Sequence, residues 1–261
     1  MKDALEKRTI WRVFASGEAS RTEDELLLEK PCVLEVDGRE EATVVLTPGE
    51  EDLWALGHLF CRRRILSRDD VASLEAVPGK ITLRRRVFRP GIPLRNRLIT
   101  TASTGLVARK EVEGTGEALP VDWSVPFPAV ASAVEALAEA PLFRRTGSTH
   151  VALLAHRQGK QLFCVEDIGR HNALDKAVGW AVREGIDLRH CFLALSGRLP
   201  ADMVLKAVGA SVPLLASVSA ATGSGVDVAE RAGITLIGFV RQGRMNVYTA
   251  PERITELARR G

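Results

Sequence analysis

From Pro128 onward, apolar runs of strand length alternate with amphipathic runs of helix length, and this alternation constrains the fold more than any other feature of the chain. The strand-like runs are Val151 to Leu154, Phe192 to Leu195, Pro213 to Val218 and Ile234 to Phe239. Between and before them, Val130 to Ala138, Ala173 to Val182, Ala201 to Ala210 and Val226 to Ala232 carry apolar residues at helical spacing. Strands that take turns with helices of this length predict a layered α/β domain whose sheet is largely parallel, because each helix must carry the chain back across a sheet face.

The N-terminal half reads differently. Val33 to Val36 and Ala42 to Leu46 flank Asp37-Gly38, a two-residue hairpin signal. Glu50, Glu51 and Asp52 then suit the positive end of a helix whose apolar stripe is Leu53, Trp54, Leu56, Leu59 and Phe60. Two further strands flank Pro78-Gly79. Between Glu113 and Pro128 the chain collects Gly114, Gly116, Pro120, Pro126 and Pro128, which suits a linker rather than a helix or central strand. The expected organisation is a charged, partly mobile tail over residues 1–28, a smaller α+β domain with its linker over 29–125, and the α/β domain over 126–261.

Composition narrows the function classes. With 261 residues and 46% hydrophobic content the chain can bury a full core. Its 36 basic and 33 acidic residues leave no excess that announces nucleic acid or a membrane surface. Cys32, Cys61, Cys164 and Cys191 form no C-x-x-C pair and no metal-ligand spacing; all but Cys61 sit in apolar, strand-like stretches, where reduced buried thiols are expected. No apolar run approaches the ~18 residues of a spanning helix, and charged Lys2, Asp3, Glu6, Lys7 and Arg8 stand where a signal peptide needs apolar residues, so a cytoplasmic location is expected.

In layered α/β domains, ligands collect where strands end and helices begin, since free backbone N–H groups and helix dipoles point there. Four segments occupy such junctions. Glu166 to Lys176 packs Glu166, Asp167, Arg170, His171 and Asn172 into a strand-to-helix turn; it serves either a ligand or the fold, with Asp167 or Asn172 capping the helix and Arg170 pairing with Glu166. Ser196-Gly197-Arg198 suits an anion, glycine allowing close approach and guanidinium binding phosphate in bidentate fashion, and equally suits a plain tight turn. Ser219 to Gly225, containing Thr222, could lay a phosphate against its amides but lacks a P-loop lysine. Phe239-Val240-Arg241-Gln242-Gly243-Arg244 ends a strand with two arginines around a glycine, either an anion site or a surface hairpin. Together, four such loops in one domain favour a phosphate-bearing ligand of nucleotide size.

The remaining basic residues invite blander readings. His150 opens an apolar strand and reads as a hydrogen-bonded core residue. Arg62 to Arg64 and the series Arg84, Arg85, Arg86, Arg89, Arg95 and Arg97 make a basic surface, most simply a solvated face. That series lacks the interleaved aromatics of a nucleic-acid groove.

Taken in order, these segments resemble the accessory sulfurtransferases of formate dehydrogenase, the FdhD/NarQ family. The resemblance runs over about residues 29–254 and is carried by the Glu166 to Lys176 run, Ser196-Gly197-Arg198 with Lys206 downstream, Ser219-Ala220 with Thr222, and Gly233 through Tyr248. In the N-terminal part Val36-Asp37-Gly38, Thr47-Pro48 and Leu56-Gly57 also fit. The resemblance implies a C-terminal domain related in fold to cytidine deaminases, a homodimer, and a guanine-dinucleotide site that includes Phe239 to Arg244. It further implies transfer of persulfide sulfur from a cysteine desulfurase to the molybdenum bis-guanine-dinucleotide cofactor of formate dehydrogenase.

One departure qualifies the implied activity. The family's sulfur-carrying loop has the form T-S/T-S-C-G-x-C-G, and the matching stretch here is Thr101 to Ala108, with Thr104 and Val107 where the two cysteines should stand. A persulfide needs a thiolate that is nucleophilic near neutral pH, and neither a hydroxyl nor an isopropyl group supplies one. Cys164, the thiol nearest a matching motif, is expected to be buried and inert in its strand. The deaminase zinc signatures, H-x-E and P-C-x-x-C, are absent, so no metal ligands are assigned. The expectation is therefore a cofactor-binding accessory protein that does not carry sulfur itself, against two alternatives: a sulfurtransferase using another thiol, and an inactive regulatory paralogue.

Overall fold

The computed structural model describes residues 4–91 and 118–258. Three sheets organise them: a two-stranded ribbon, a four-stranded sheet and a six-stranded sheet. The 100–109 loop with Thr104 and Val107, and Arg95 and Arg97, lie outside the described residues.

The ribbon pairs β1 (Leu5–Val13) with β2 (Ala19–Leu27) in antiparallel register from Leu5 opposite Leu27 to Val13 opposite Ala19. The segment read from the sequence as a charged, partly mobile tail thus contains a paired ribbon. Its residues are mostly exposed on both faces, so no alternation of buried and polar positions marks it in the sequence. A bidentate pair from Arg145 to Glu25, at 2.5 and 2.8 Å, ties it to the larger sheet's side of the molecule.

In the four-stranded sheet, β3 (Lys30–Val36) and β4 (Arg39–Leu46) form the expected hairpin. Asp37 and Gly38 both take positive φ, 52° and 78°, as a turn matched to the strand twist requires. β5 (Val71–Val77) and β6 (Lys80–Arg85) form the second hairpin, and β6 runs parallel to β3, giving the order β4-β3-β6-β5. Helix α1 (Glu51–Cys61) covers this sheet, Leu56 and Leu59 packing over Leu34, Ile81 and Leu83.

Almost every residue of α1 is buried because its other side is buried too. That side meets α4 (Arg170–Glu184) and α5 (Ala201–Ala210) of the larger unit, and glycine makes the approach possible. A Cβ on Gly57 would overlap the Asp175 carbonyl, one on Gly179 the Leu53 carbonyl, and one on Gly209 the Cys61 carbonyl. The helices thus cross backbone against backbone.

The six-stranded sheet has the order β12-β11-β10-β9-β7-β8. Its strands are β7 (His150–His156), β8 (Gln161–Asp167), β9 (Cys191–Leu195), β10 (Leu214–Ser217), β11 (Thr235–Arg241) and β12 (Arg244–Val247). Only β9, β10 and β11 are mutually parallel; β7, β8 and β12 run antiparallel to their neighbours. The sheet is therefore less parallel than the helix-strand alternation predicts. Tight hairpins at Arg157 to Lys160 and Gln242-Gly243 reverse the chain where no helix intervenes.

On one face lie α4, α5 and α6 (Gly223–Ala232), burying Leu174, Val178, Val204 and Val228. On the other lies α2 (Phe127–Glu135), burying Val130, Ala133 and Val134. The short helix α3 (Pro141–Thr146) precedes β7, and α7 (Thr255–Ala258) closes the described chain. Residues 118–125 of the expected linker are pinned down: fully buried Arg253 donates to the Leu119 and Pro120 carbonyls at 3.0 and 2.7 Å.

Candidate functional site

Because β9, β10 and β11 run parallel, their carboxyl ends open on one edge, joined there by the start of β7 and the end of β8. All four sequence-predicted segments lie on that edge. Neighbouring strands are ~4.8 Å apart, so from β11 to β8, four spacings in the strand order, the rim runs about 19 Å. That length suits a dinucleotide rather than a single phosphate.

At one end, Arg241 and Arg244 flank the Gln242-Gly243 turn, whose φ angles of 54° and 70° hold both arginines exposed. Phe239 takes φ 52°, an unfavourable left-handed conformation for an aromatic residue, and the Arg241 guanidinium lies 5.2 Å from its ring centre. The Phe239 amide donates to the Ser219 carbonyl at 2.9 Å, fastening this strand end to the next loop. Gly238 keeps that junction close, since a Cβ there would lie 3.0 Å from the Ser219 oxygen. Val240, by contrast, is a core residue and can offer only its backbone.

In the middle of the rim, Thr222 caps α6, its hydroxyl accepting the Gly225 amide at 3.2 Å. Ser217 donates to the Gly197 carbonyl at 2.7 Å and accepts from the Ser219 amide at 3.0 Å, which fixes two adjacent loops to each other. Arg198 stands exposed between them.

At the far end the Glu166 to Lys176 run divides into two jobs. Glu166 does not pair with Arg170; its carboxylate accepts the Leu142 and Phe143 amides at 2.9 and 2.5 Å and the Thr149 hydroxyl at 2.9 Å, capping α3. Asp167 is fully buried and meets the equally buried Lys176 ammonium at 2.9 Å. It also accepts the Thr47 amide at 3.2 Å, while the Thr47 hydroxyl accepts from the Ile168 amide at 2.9 Å. Asn172 donates to the Val45 carbonyl and to Asp167, each at 2.9 Å, so its amide holds the two sheets together rather than facing a ligand. Arg170 and His171 are the members of the run left at the rim.

Two residues that the sequence did not mark belong to this corner. Asp202, in the first turn of α5, lies 2.9 Å from His171 Nε2. Burial alone would raise its carboxyl, but His171, Arg170 and the Met203 amide together outweigh that and lower it. His150 Nδ1 lies 3.4 Å from the Ser196 hydroxyl, and burial, then Arg170 and His171, depress this imidazole below its ordinary value. An acidic residue in a first turn reads as a dipole partner, and a histidine opening an apolar strand reads as core, so neither stood out.

Behind the rim, Asp175 is buried against Lys206 Nζ at 2.5 and 2.6 Å, with His58 at 3.7 Å. Burial would raise Asp175; Lys206 and His58 outweigh it and hold the carboxyl low. Desolvation, then Arg62, drives His58 down to about 3, so it is neutral. These groups join α1, α4 and α5 beneath the surface.

The thiols sit elsewhere. Cys32, Cys61 and Cys191 are buried, whereas Cys164 is exposed on edge strand β8, contrary to expectation, because strand alternation turns it out of the core. Desolvation, then Glu166, still pushes its thiol up to about 11. Burial takes Cys191 to about 12. Among the described residues, no three His, Cys, Asp or Glu side chains converge as metal ligands do, and no helix is long and apolar enough to cross a membrane.

A family model described as FdhD/NarQ matches residues 27–255. The sulfur carrier protein FdhD of Anaeromyxobacter dehalogenans (strain 2CP-C) is 38% identical, over 96% of this chain and 94% of its own. That of Methanothermobacter thermautotrophicus is 33% identical, over 91% and 94%. A crystal structure described as a formate dehydrogenase accessory protein from Desulfotalea psychrophila shares the fold, with a TM-score of 0.79 at 23% identity over 96% of this chain and 99% of that one. The chain belongs to the FdhD/NarQ family.

Proposed function

We propose that this protein binds the molybdenum bis-guanine-dinucleotide cofactor along the carboxyl rim of the six-stranded sheet and serves formate dehydrogenase maturation without carrying sulfur on its own cysteines. One observation carries the binding half: Arg170, Arg198, Arg241 and Arg244 stand along one rim, and the segments bearing the last three are fastened through the Ser217 to Thr222 stretch by backbone and serine hydrogen bonds. Guanidinium groups bind phosphate oxygens in bidentate fashion, and the Ser219 to Gly225 loop supplies amides at the start of α6. The accessory role draws on the relatives, named as sulfur carriers, and on the structural neighbour, described as a formate dehydrogenase accessory protein. A cysteine desulfurase and a second copy of this chain complete the proposed partners.

The sulfur half rests on the thiol inventory. Thr104 and Val107 offer no thiolate. At a thiol value of about 11, Cys164 is almost wholly protonated at neutral pH, which disfavours attack on a persulfide donor. A sulfurtransferase working through another of its own thiols is thereby disfavoured.

Titration of GDP against ADP tests the binding half: GDP binds more tightly, and Arg241→Ala and Arg244→Ala each weaken it clearly. Absence of GDP binding refutes the site. Incubation with a cysteine desulfurase and labelled cysteine tests the other half, with no protein-bound label expected once free sulfide is removed. Label retained and passed onward would refute it.

A further inference from the structure

The corner where β8 and β9 end and β7 begins holds chemistry that phosphate binding by arginine leaves unused. His150 is partly buried there, and Gly197 lets it close on Arg170: a Cβ at 197 would lie 3.3 Å from Arg170 Cβ and Cδ and 3.4 Å from His150 Nδ1. Arg170 Nε is buried with no hydrogen-bond partner among the described residues. Beside it, His171 is steadied by Asp202 at 2.9 Å. The other nearby acid, Asp167, is occupied by Lys176, Asn172 and the Thr47 and Gly169 amides. Two basic side chains, Arg170 and His150, thus face one glycine, His171 follows Arg170 in the chain, and Asp202 and Asp167 are turned to other partners.

The hydrogen-bond inventory defines the resting state. Ser196 Oγ accepts the Val151 amide at 2.9 Å, leaving its single hydrogen within reach of His150 Nδ1 at 3.4 Å. That nitrogen accepts only when the ring is neutral. If the ring gains a proton, Nδ1–H donates to Ser196 Oγ, whose second lone pair is available, and the serine hydrogen turns to a new acceptor. Protonation of this side chain therefore frees one donor, the serine O–H, and puts a full positive charge on a ring whose Nε2–H is present in both states.

We propose that His150 is an anion-binding residue of this rim, neutral in the empty site and protonated when a phosphate group lies beside Gly197, Arg170 and His171, so that ligand capture takes up one proton. This rests on the phosphate-binding reading above and adds the regulation of that site by pH. Burial, Arg170 and His171 disfavour the charged imidazole in the empty site, and Asp167 alone among the facing groups favours it. A phosphate dianion reverses the local field. Affinity then falls as pH rises from the free-site value to the bound value, by about tenfold for each unit separating them, and is flat outside that window.

Calorimetric titration of GDP at about pH 6, 7 and 8, in two phosphate-free buffers of different protonation enthalpy, measures both affinity and proton uptake. His150→Asn retains a polar atom near Ser196 and is the paired variant, with His150→Gln as its substitute if the first fails to fold. The native protein is expected to take up close to one proton more than the variant near pH 7, and there to lose affinity more steeply than the variant by about tenfold per pH unit. The terminal phosphate of GDP titrates in both proteins and cancels in the difference. GDP binding with equal proton uptake and equal pH dependence in both proteins would overturn the proposal while leaving the nucleotide site standing. No heat of GDP binding at any pH would remove the site itself, and this proposal with it.

Discussion

Replacing Gly179 with alanine puts a methyl group into the crossing of α1 and α4. In an exposed helix interior the same change would stabilise by about 1 kcal/mol, because alanine loses less backbone freedom. Here the added Cβ overlaps the Leu53 carbonyl oxygen, with the Leu53 carbonyl carbon 2.7 Å and the Gly57 amide 2.9 Å away. These are backbone atoms inside a helix and cannot rotate aside, so the helices must separate by on the order of an ångström. Separation loosens the matching contact at Gly57 and stretches the His58–Asp175 contact between the same two helices. Overpacking of this kind costs about 3 kcal/mol or more against the propensity gain of about 1, leaving a net loss of about 2 kcal/mol or more. Urea unfolding followed by tryptophan fluorescence reads it, since Trp54 lies on α1 and Trp180 on α4. Gly223→Ala is the control: nothing lies within 4 Å of its Cβ position, and stability should hold or rise by a few tenths of a kcal/mol. A Gly179→Ala protein as stable as the parent would refute the backbone-contact account.

Further outcomes follow from the same buried junction and from the thiols. Lys206→Met leaves the Asp175 carboxylate buried without its ammonium and should cost about 3 to 5 kcal/mol; adding Asp175→Asn should recover part of the loss, as urea midpoints will show. His58 stays neutral in the fold down to about 3 but takes up a proton at its ordinary value of 6.5 once unfolded. Stability is therefore full above about pH 6.5 and declines as pH falls toward 3; His58→Gln should flatten that decline, and an unchanged slope would contradict the assignment. Thiol alkylation at about pH 8 should label Cys164 alone and slowly in the native protein, and all four cysteines in urea.

What could be read from the sequence follows from how local its cause is. The β3–β4 hairpin, α1 and α5 were legible because turn chemistry and apolar spacing act within a few residues. The β1–β2 ribbon was not, since a strand exposed on both faces carries no burial pattern. Nor was the antiparallel half of the large sheet, because alternation announces crossovers but not which edge a hairpin will extend. The four rim segments were recognisable as candidates, yet their division of labour was hidden. Glu166 caps α3, Asn172 holds Val45 and Asp167 binds Thr47, and the last of these contacts spans 120 residues. Residue type alone does not say whether a charge faces solvent, ligand or a distant carbonyl.

Helix α4 makes that division testable, because it carries both jobs on one rigid rod. Its first turn presents Arg170 and His171 to the rim, while Asp175, Lys176 and Gly179, lying one to three turns further on, fasten it to α1, α5 and the Thr47 loop. Loss of nucleotide binding after mutation in this run therefore has two distinct origins. Arg170→Ala removes a partly exposed cation at the rim and should weaken GDP while leaving the urea midpoint nearly unchanged. Lys176→Met leaves fully buried Asp167 without its ammonium and should lower stability by about 3 to 5 kcal/mol, with GDP affinity recovered wherever the protein remains folded. If Lys176→Met instead kept the midpoint and abolished GDP binding, the lysine would have to reach the ligand, and the buried ion pair seen here could not be its resting partner.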